Sequence, residues 1–226
     1  MREIPAREHD IEPVPGLPER LPAGETMLWQ GRPAARLVAM HLLKSRWLAA
    51  YFLVLALWAG ASGFYDGQQP GGILFSLAVL IALGAALLAL VELYAWAIWR
   101  TTIYTITDRR VVMRFGVAFS MALNLPYGRV DGVSMRPLGG KGAGTIAIRL
   151  APGHRLSWLI QWPHARGWRF AQTEPALICL PDAEAASAAL ALAITRYRER
   201  HGAALRAVPE RPTVADMLRH APAAAE

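Results

Sequence analysis

One cysteine, Cys179, serves the whole chain of 226 residues. That excludes an intramolecular disulfide framework, and it excludes a multi-thiolate zinc or iron–sulfur centre built from this chain alone. A reducing compartment is consistent with it. Charge is scarce as well: 18% of residues are charged against 54% hydrophobic, with a mean hydropathy of +0.25, a poor match to a soluble domain of ordinary composition. Acids are the scarcer sign, 17 against 24 bases, giving a net charge of +7 and a pI near 10.2. Such a surplus suits nucleic acid or an anionic membrane face equally, so the apolar runs decide between them. The start of the chain lacks the basic patch and apolar core of a cleavable signal, carrying acids, bases and five prolines between Met1 and Glu25. The N-terminus is therefore expected to stay where it is made.

Catalytic patterns are missing too. No serine, cysteine or acid stands with a base in a recognisable nucleophile constellation, and no carboxylate pair falls in an evident cleft, so a non-enzymatic protein is expected. Six histidines, at 9, 41, 154, 164, 201 and 220, include no i, i+4 pair, so neither a metal site nor a bound cofactor is expected. The loop GGKGAG at 139–144 lacks the Ser or Thr that must follow the lysine of a phosphate cradle and runs into the strand-like TIAIRL, which makes it a flexible connection.

What is abundant is uncharged apolar sequence. Residues 47–65 carry no charge and are long enough to cross roughly 30 Å of hydrocarbon as a helix. After a polar break at 66–72, a second run covers 73–99, longer and expected to tilt. Buried helices of a soluble protein rarely run so far without charge, so a transmembrane hairpin is the expected reading, and the positive surplus is assigned to the membrane and not to nucleic acid. Arg32, Arg36, Lys44 and Arg46 precede it, Arg100, Arg109, Arg110 and Arg114 follow it, and the connecting loop holds no Lys or Arg. By the positive-inside rule both termini face the cytoplasm. Trp47, Tyr51, Tyr94, Trp96 and Trp99 cluster toward the same ends, where amphipathic rings favour the headgroup layer. Glu92 is the one acid within the apolar pattern: either a partner or proton site, or an interfacial residue close to Arg100.

After Arg100 the pattern changes. TTIYTIT and RVVMRFG alternate with period two around Thr107, Asp108 and Arg109, predicting a β-hairpin whose turn is stapled by Asp108. Further strands are predicted at 119–125, 130–135, 145–150, 156–162 and 176–180; in the 156–162 run Leu156, Trp158, Ile160 and Trp162 share one face. Ala186, Ala189, Leu190, Ala193, Ile194 and Tyr197 then fall at helical spacing behind Asp182, a good N-cap. The expected architecture is an α+β membrane protein: a two-helix hairpin, then an antiparallel β-barrel or sandwich closed by a C-terminal helix. Its parts are an extended, proline-rich arm at 1–33, an interfacial segment and hairpin at 34–100, a cytoplasmic domain at 101–202 and a tail at 203–226. Trp29 is expected to pin the end of the arm onto the domain.

A helical hairpin followed by YTITDRRVVMRFG and a strand-rich segment resembles the bacterial pleckstrin-homology-like membrane proteins, over roughly residues 100–201. The upstream LPERLPAGETMLWQGRP, taken with the hairpin and GVAFSMALNLPYGRV, resembles the photosynthetic-complex assembly proteins of purple bacteria, the PuhB family, over nearly the whole chain. That resemblance implies an assembly or scaffold role for the reaction centre and its core antenna, the light-harvesting 1 complex. The implied partners are subunits of those complexes or other assembly factors, together with membrane lipid, and a second copy of this chain is a further candidate. It carries no catalytic motif over. It also gives His41, beside the membrane, a candidate role as ligand to the magnesium of a bacteriochlorophyll, set against a plain interfacial histidine. Arg100, Arg109, Arg110 and Arg114 are candidates for anionic headgroups, and Trp158, Trp162 and Trp168 for partner anchors wherever one is exposed. The alternative function is an anionic-lipid-binding module with no protein client.

Overall fold

The computed structural model describes residues 21–117, 119–139, 142–151, 157–167 and 173–206. The expected hairpin is present and longer than its uncharged runs. Helix α2 spans Ser45–Tyr65 and α3 spans Pro70–Thr101, with Pro70 in the first turn of α3, where its missing N–H costs nothing. Both are long and apolar enough to cross a membrane, and only 6% of each apolar window is buried within the chain, unlike the core helix of a soluble domain.

Glycines set the register. A Cβ on Gly63 would stand 2.9 Å from Ile73 Cγ1, and one on Gly84 would stand 2.9 Å from Phe52 Cγ, so both are used inside the hairpin for close approach. Carrying that register toward the open end places Ser45 beside Val91. Residues 92–101 of α3 therefore project about 15 Å past α2, at 1.5 Å per residue. The surplus length is used for packing: Ala95 and Ile98, 0% and 1% exposed, belong to the core of the β domain.

Two antiparallel sheets follow, ordered β1-β2-β3-β4 and β5-β6-β7. They comprise Met27–Gly31, Ile103–Thr107, Arg110–Phe115 and Met121–Pro126, then Val130–Pro137, Gly144–Leu150 and Ala176–Leu180. One cluster of buried side chains draws on both sheets and on the terminal helix, Tyr104, Ile106 and Met113 from one sheet meeting Ile146, Ile148 and Leu177 from the other.

Strand β1 corrects the expected arm. Residues 27–31 are the edge strand of the first sheet, with Gln30 opposite Thr105 and Gly31 opposite Tyr104. The whole helical hairpin is thus an insertion between two paired neighbours, β1 and β2. The segment joining β1 to α2, expected to lie at the interface, is a short helix, α1 (Ala35–Leu37), continued by a π-helical turn, Val38–Leu42. Val38 and Ala39 are fully buried in the core, and the Ala34 N–H donates to the Cys179 carbonyl.

A second correction concerns the run at 156–162. Within the described residues it is a single helical turn, α4 (Trp158–Gln161), and not a strand. Strand β6 is already paired on both edges, by β5 and β7, and Pro163 has no N–H to give a ladder. The C-terminal helix α5 (Ala183–Arg206) buries the expected stripe, with Ala186, Leu190, Ala193 and Ile194 all in the core. Asp182, expected as a cap, accepts a hydrogen bond from the Trp29 indole at 3.1 Å and so ties β1 to the start of α5. The tail beyond residue 206 lies outside the described residues.

Candidate functional site

Two surfaces merit weight, the outer faces of the helical hairpin and the end of the first sheet remote from it. On the hairpin Leu53, Leu57, Trp58, Phe75, Ile81 and Leu90 are all exposed, leaving a continuous apolar exterior. Glu92, the acid within this pattern, is exposed and falls beside Lys44 in the hairpin register, one residue past the start of α2. It therefore stands at the open end of the hairpin, near the β domain.

At the far end of the sheet a β2–β3 turn is built by Thr107, whose hydroxyl accepts from the Arg109 and Arg110 N–H groups at 3.2 and 3.1 Å. Thr107 thus takes the stapling role expected of Asp108. The Asp108 carboxylate instead accepts from the Thr26 N–H at 3.0 Å, and its own N–H donates to the Thr26 carbonyl. Arg110 makes a two-pronged pair with Glu25 at 2.8 and 2.9 Å, Arg109 donates to the Gly24 carbonyl at 3.2 Å, and Arg200 lies 3.6 Å from Asp108. These side chains line a groove of about 560 Å³ with Asn124 and Tyr197. Tyr127, buried beside the turn, donates to the Thr107 carbonyl at 2.6 Å, and burial followed by the Asp108 and Glu25 charges raises its pKa.

The four candidate arginines therefore do not form one patch. Arg114 pairs opposite Ile103, at the end of the sheet that leaves α3. Arg109 and Arg110 stand at the other end, about 13 Å away along β2 at 3.3 Å per residue, and are engaged with residues that precede β1. Arg100 lies over the Trp96 ring, 5.3 Å from its centroid. Of the candidate aromatic anchors, Trp158 is half-buried, Trp162 is 45% exposed and stacks on Tyr94, and Trp168 lies outside the described residues. His41 is half-buried against Gly139.

A family model described as bacterial PH domain matches residues 43–195. The chain belongs to that family. A relative in Rhodobacter capsulatus is 36% identical over 177 residues, covering 78% of this chain and 83% of its own length, and bears the name "uncharacterized 23.7 kDa protein in puhA 5' region". No solved structure matches. The matched range of the bacterial PH domain begins just before α2 and ends within α5, so the hairpin belongs to it and β1 lies ahead of it.

Inside this PH domain the structure brings together a pair that sequence spacing had not singled out. His164 Nδ1 lies 2.6 Å from the Tyr104 hydroxyl, and the Ile178 N–H reaches the same hydroxyl at 3.3 Å. The Tyr104 oxygen accepts from the Ile178 N–H, and its hydrogen bond with His164 Nδ1 runs in the direction that the imidazole tautomer sets. Desolvation lowers the His164 pKa to about 3, and burial raises that of Tyr104. The sign follows: between about pH 3 and the ordinary histidine value near 6.5, the unfolded chain takes up a proton that the folded domain refuses. Stability should be unaffected by this group above pH 6.5 and fall below it, by about 2 kcal/mol at pH 5. Thermal unfolding of the protein in detergent between pH 7.5 and 5 reads this, and His164→Gln should flatten the dependence while lowering stability at pH 7.5.

Proposed function

We propose that this chain is a non-enzymatic, membrane-anchored assembly factor for the photosynthetic reaction centre and its core antenna, with the PuhB family as its closer kin. The observation that carries the reading is the relative in the puhA region, whose position points to a photosynthesis-related role. The resemblance of LPERLPAGETMLWQGRP and GVAFSMALNLPYGRV to that family supports it, and so does the apolar exterior of the hairpin, which offers lateral packing to other membrane helices. The hairpin crosses the inner membrane, and the arginine and lysine asymmetry at its ends sets both termini and the PH domain on the cytoplasmic side. Clients are subunits of the reaction centre or antenna, or other assembly factors. The engagement of Arg109 and Arg110 with Gly24 and Glu25, away from α3, speaks against a headgroup-reading module as the sole role.

Deleting the gene in a phototrophic host should lower the assembled core complex several-fold, read as near-infrared absorption of membranes, while pigment synthesis continues. The full chain should restore it, and the purified protein in mild detergent should carry a subunit of the complex. Core-complex levels unchanged by the deletion, or accumulation of a chemically distinct pigment intermediate, would overturn the assembly reading. Copurification of lipid alone would favour the lipid-binding module.

A further inference from the structure

The domain has an apolar edge that its own core does not use, next to the helix that carries it. Strand β3 runs back toward α3, because Arg114 pairs opposite Ile103, the second residue after that helix. The described residues of the β3–β4 connection, 116, 117, 119 and 120, consequently lie at the α3 end of the sheet. It turns sharply: Gly116 has φ +127°, and a Cβ there would collide with the Phe119 carbonyl. The turn presents Phe119, 84% exposed, with Val117 also exposed.

Helix α4 borders the same edge. A small cavity of about 190 Å³ between Phe115, Met121, Leu123, Ile160 and Gln161 marks where the two elements meet. Within this single turn Gln161 is buried and Trp158 half-buried, whereas Leu159 and Ile160 are 79% and 60% exposed. Apolar side chains this open beside one another on a short turn leave a contiguous patch that needs a partner.

Its depth is fixed by Trp162, which follows α4 and stacks on Tyr94 of α3 with ring centroids 6.1 Å apart and planes 14° from parallel. In the hairpin register Tyr94 stands three residues past the level of Ser45, hence about 4–5 Å beyond the start of α2. The headgroup layer extends roughly 5–7 Å beyond the hydrocarbon on each side, so a hairpin that spans the bilayer carries α4 into that layer. On α3, Leu90 lies one turn before Tyr94 on the same flank and is exposed, with exposed Leu93 next to it, so the patch adjoins an apolar helix surface.

We propose that α4 and the β3–β4 turn form a second membrane contact, with Leu159, Ile160 and Phe119 inserted among the acyl chains at the interface beside α3. The inference rests on the spanning reading of the hairpin. Its occupant is lipid, because the patch is continuous with the helix surface that lipid already covers and lies at the level of the headgroups. Such a contact fixes the tilt of the PH domain against the membrane, which two helices alone leave free.

Single cysteines at Leu159, Phe119, Leu57 and Thr195 can carry nitroxide labels, since the native Cys179 is buried and all four positions are exposed. The full-length protein is placed in bilayer nanodiscs of phosphatidylcholine and phosphatidylglycerol, and collision with oxygen is compared with collision with a water-soluble nickel chelate. Labels at Leu159→Cys and Phe119→Cys should favour oxygen several-fold, as Leu57→Cys does, while Thr195→Cys favours the chelate. Chelate-favouring labels at 159 and 119 with a lipid-exposed label at 57 would overturn this contact alone. Labels at 159 and 119 shielded from both reagents would assign the patch to a second copy of the chain and overturn it equally. A water-exposed label at 57 would overturn both the contact and the spanning hairpin.

Discussion

A chain lacking residues 1–33 is expected to lose the protease resistance of its β domain, although the deletion ends before the range matched to the family begins. Strand β1 covers β2, every residue of which is buried. Its removal strips the Gln30 side chain from the Thr105 hydroxyl, the Trp29 indole from Asp182 and the Glu25 carboxylate from Arg110, whose side chain is only 26% exposed. Cross-strand pairs are worth about 0.2–1 kcal/mol each and a side-chain hydrogen bond about 1 kcal/mol, so the combined loss is several kcal/mol. Native domains have roughly 5–15 kcal/mol in all. Limited proteolysis in detergent should show cleavage within 103–115 that the full chain resists, and a synthetic peptide of residues 21–33 should partly restore protection. Unchanged resistance would mean that the edge strand is dispensable and that the arm is only an arm.

The elements readable from sequence are those whose pattern repeats. Apolar runs at 47–65 and 73–99, period-two alternation at 103–107 and 110–115, and the Ala186–Leu190–Ala193–Ile194 stripe each give several residues with the same message, and each element is where its pattern lies. Three features escaped for distinct reasons. Strand β1 is five residues long, with Met27 and Leu28 exposed, so no buried alternation marks it, and the prolines before it argue for an extended arm. The 158–162 segment satisfies a two-residue period and a helical turn alike, so its spacing alone does not separate them. Val38 and Ala39 look like the approach to a membrane span because their burial depends on β7 and the end of α3, which arrive much later in the chain.

The candidate site was legible in kind and not in placement. The arginines after α3 were visible, but which of them stay near the helix depends on strand direction. Antiparallel pairing returns Arg114 to Ile103 and carries Arg109 and Arg110 away. The His164–Tyr104 contact spans 60 residues of sequence, and neither residue stands in a spacing that signals the other.

The hairpin should prove inseparable from the domain at its base and separable just above it. In the hairpin register Ser45 and Val91 face each other, and packed helix axes lie about 8–10 Å apart. A linker of about four Gly and Ser residues, spanning roughly 11 Å, can therefore replace residues 46–90. This version keeps Val38, Ala39, Ala95 and Ile98 in the core and is expected to fold, giving a cooperative thermal transition by circular dichroism in mild detergent. Excising residues 34–101 instead joins β1 to β2 with no topological obstacle, since Gly31 already pairs with Tyr104. It nevertheless removes those four core residues and the half-buried Leu37, Leu42, Leu43 and Tyr94 packed on them. Truncating one large buried aliphatic side chain costs about 2–5 kcal/mol, and this excision deletes Ile98 and Val38 together, so the loss should exceed the stability available. The longer excision should show no cooperative transition and be cleaved throughout by protease. Equal stability of the two versions would make the hairpin a detachable anchor, whereas the expected difference makes the base of the hairpin part of the PH domain, so that a helix docking against α3 bears directly on the domain's core.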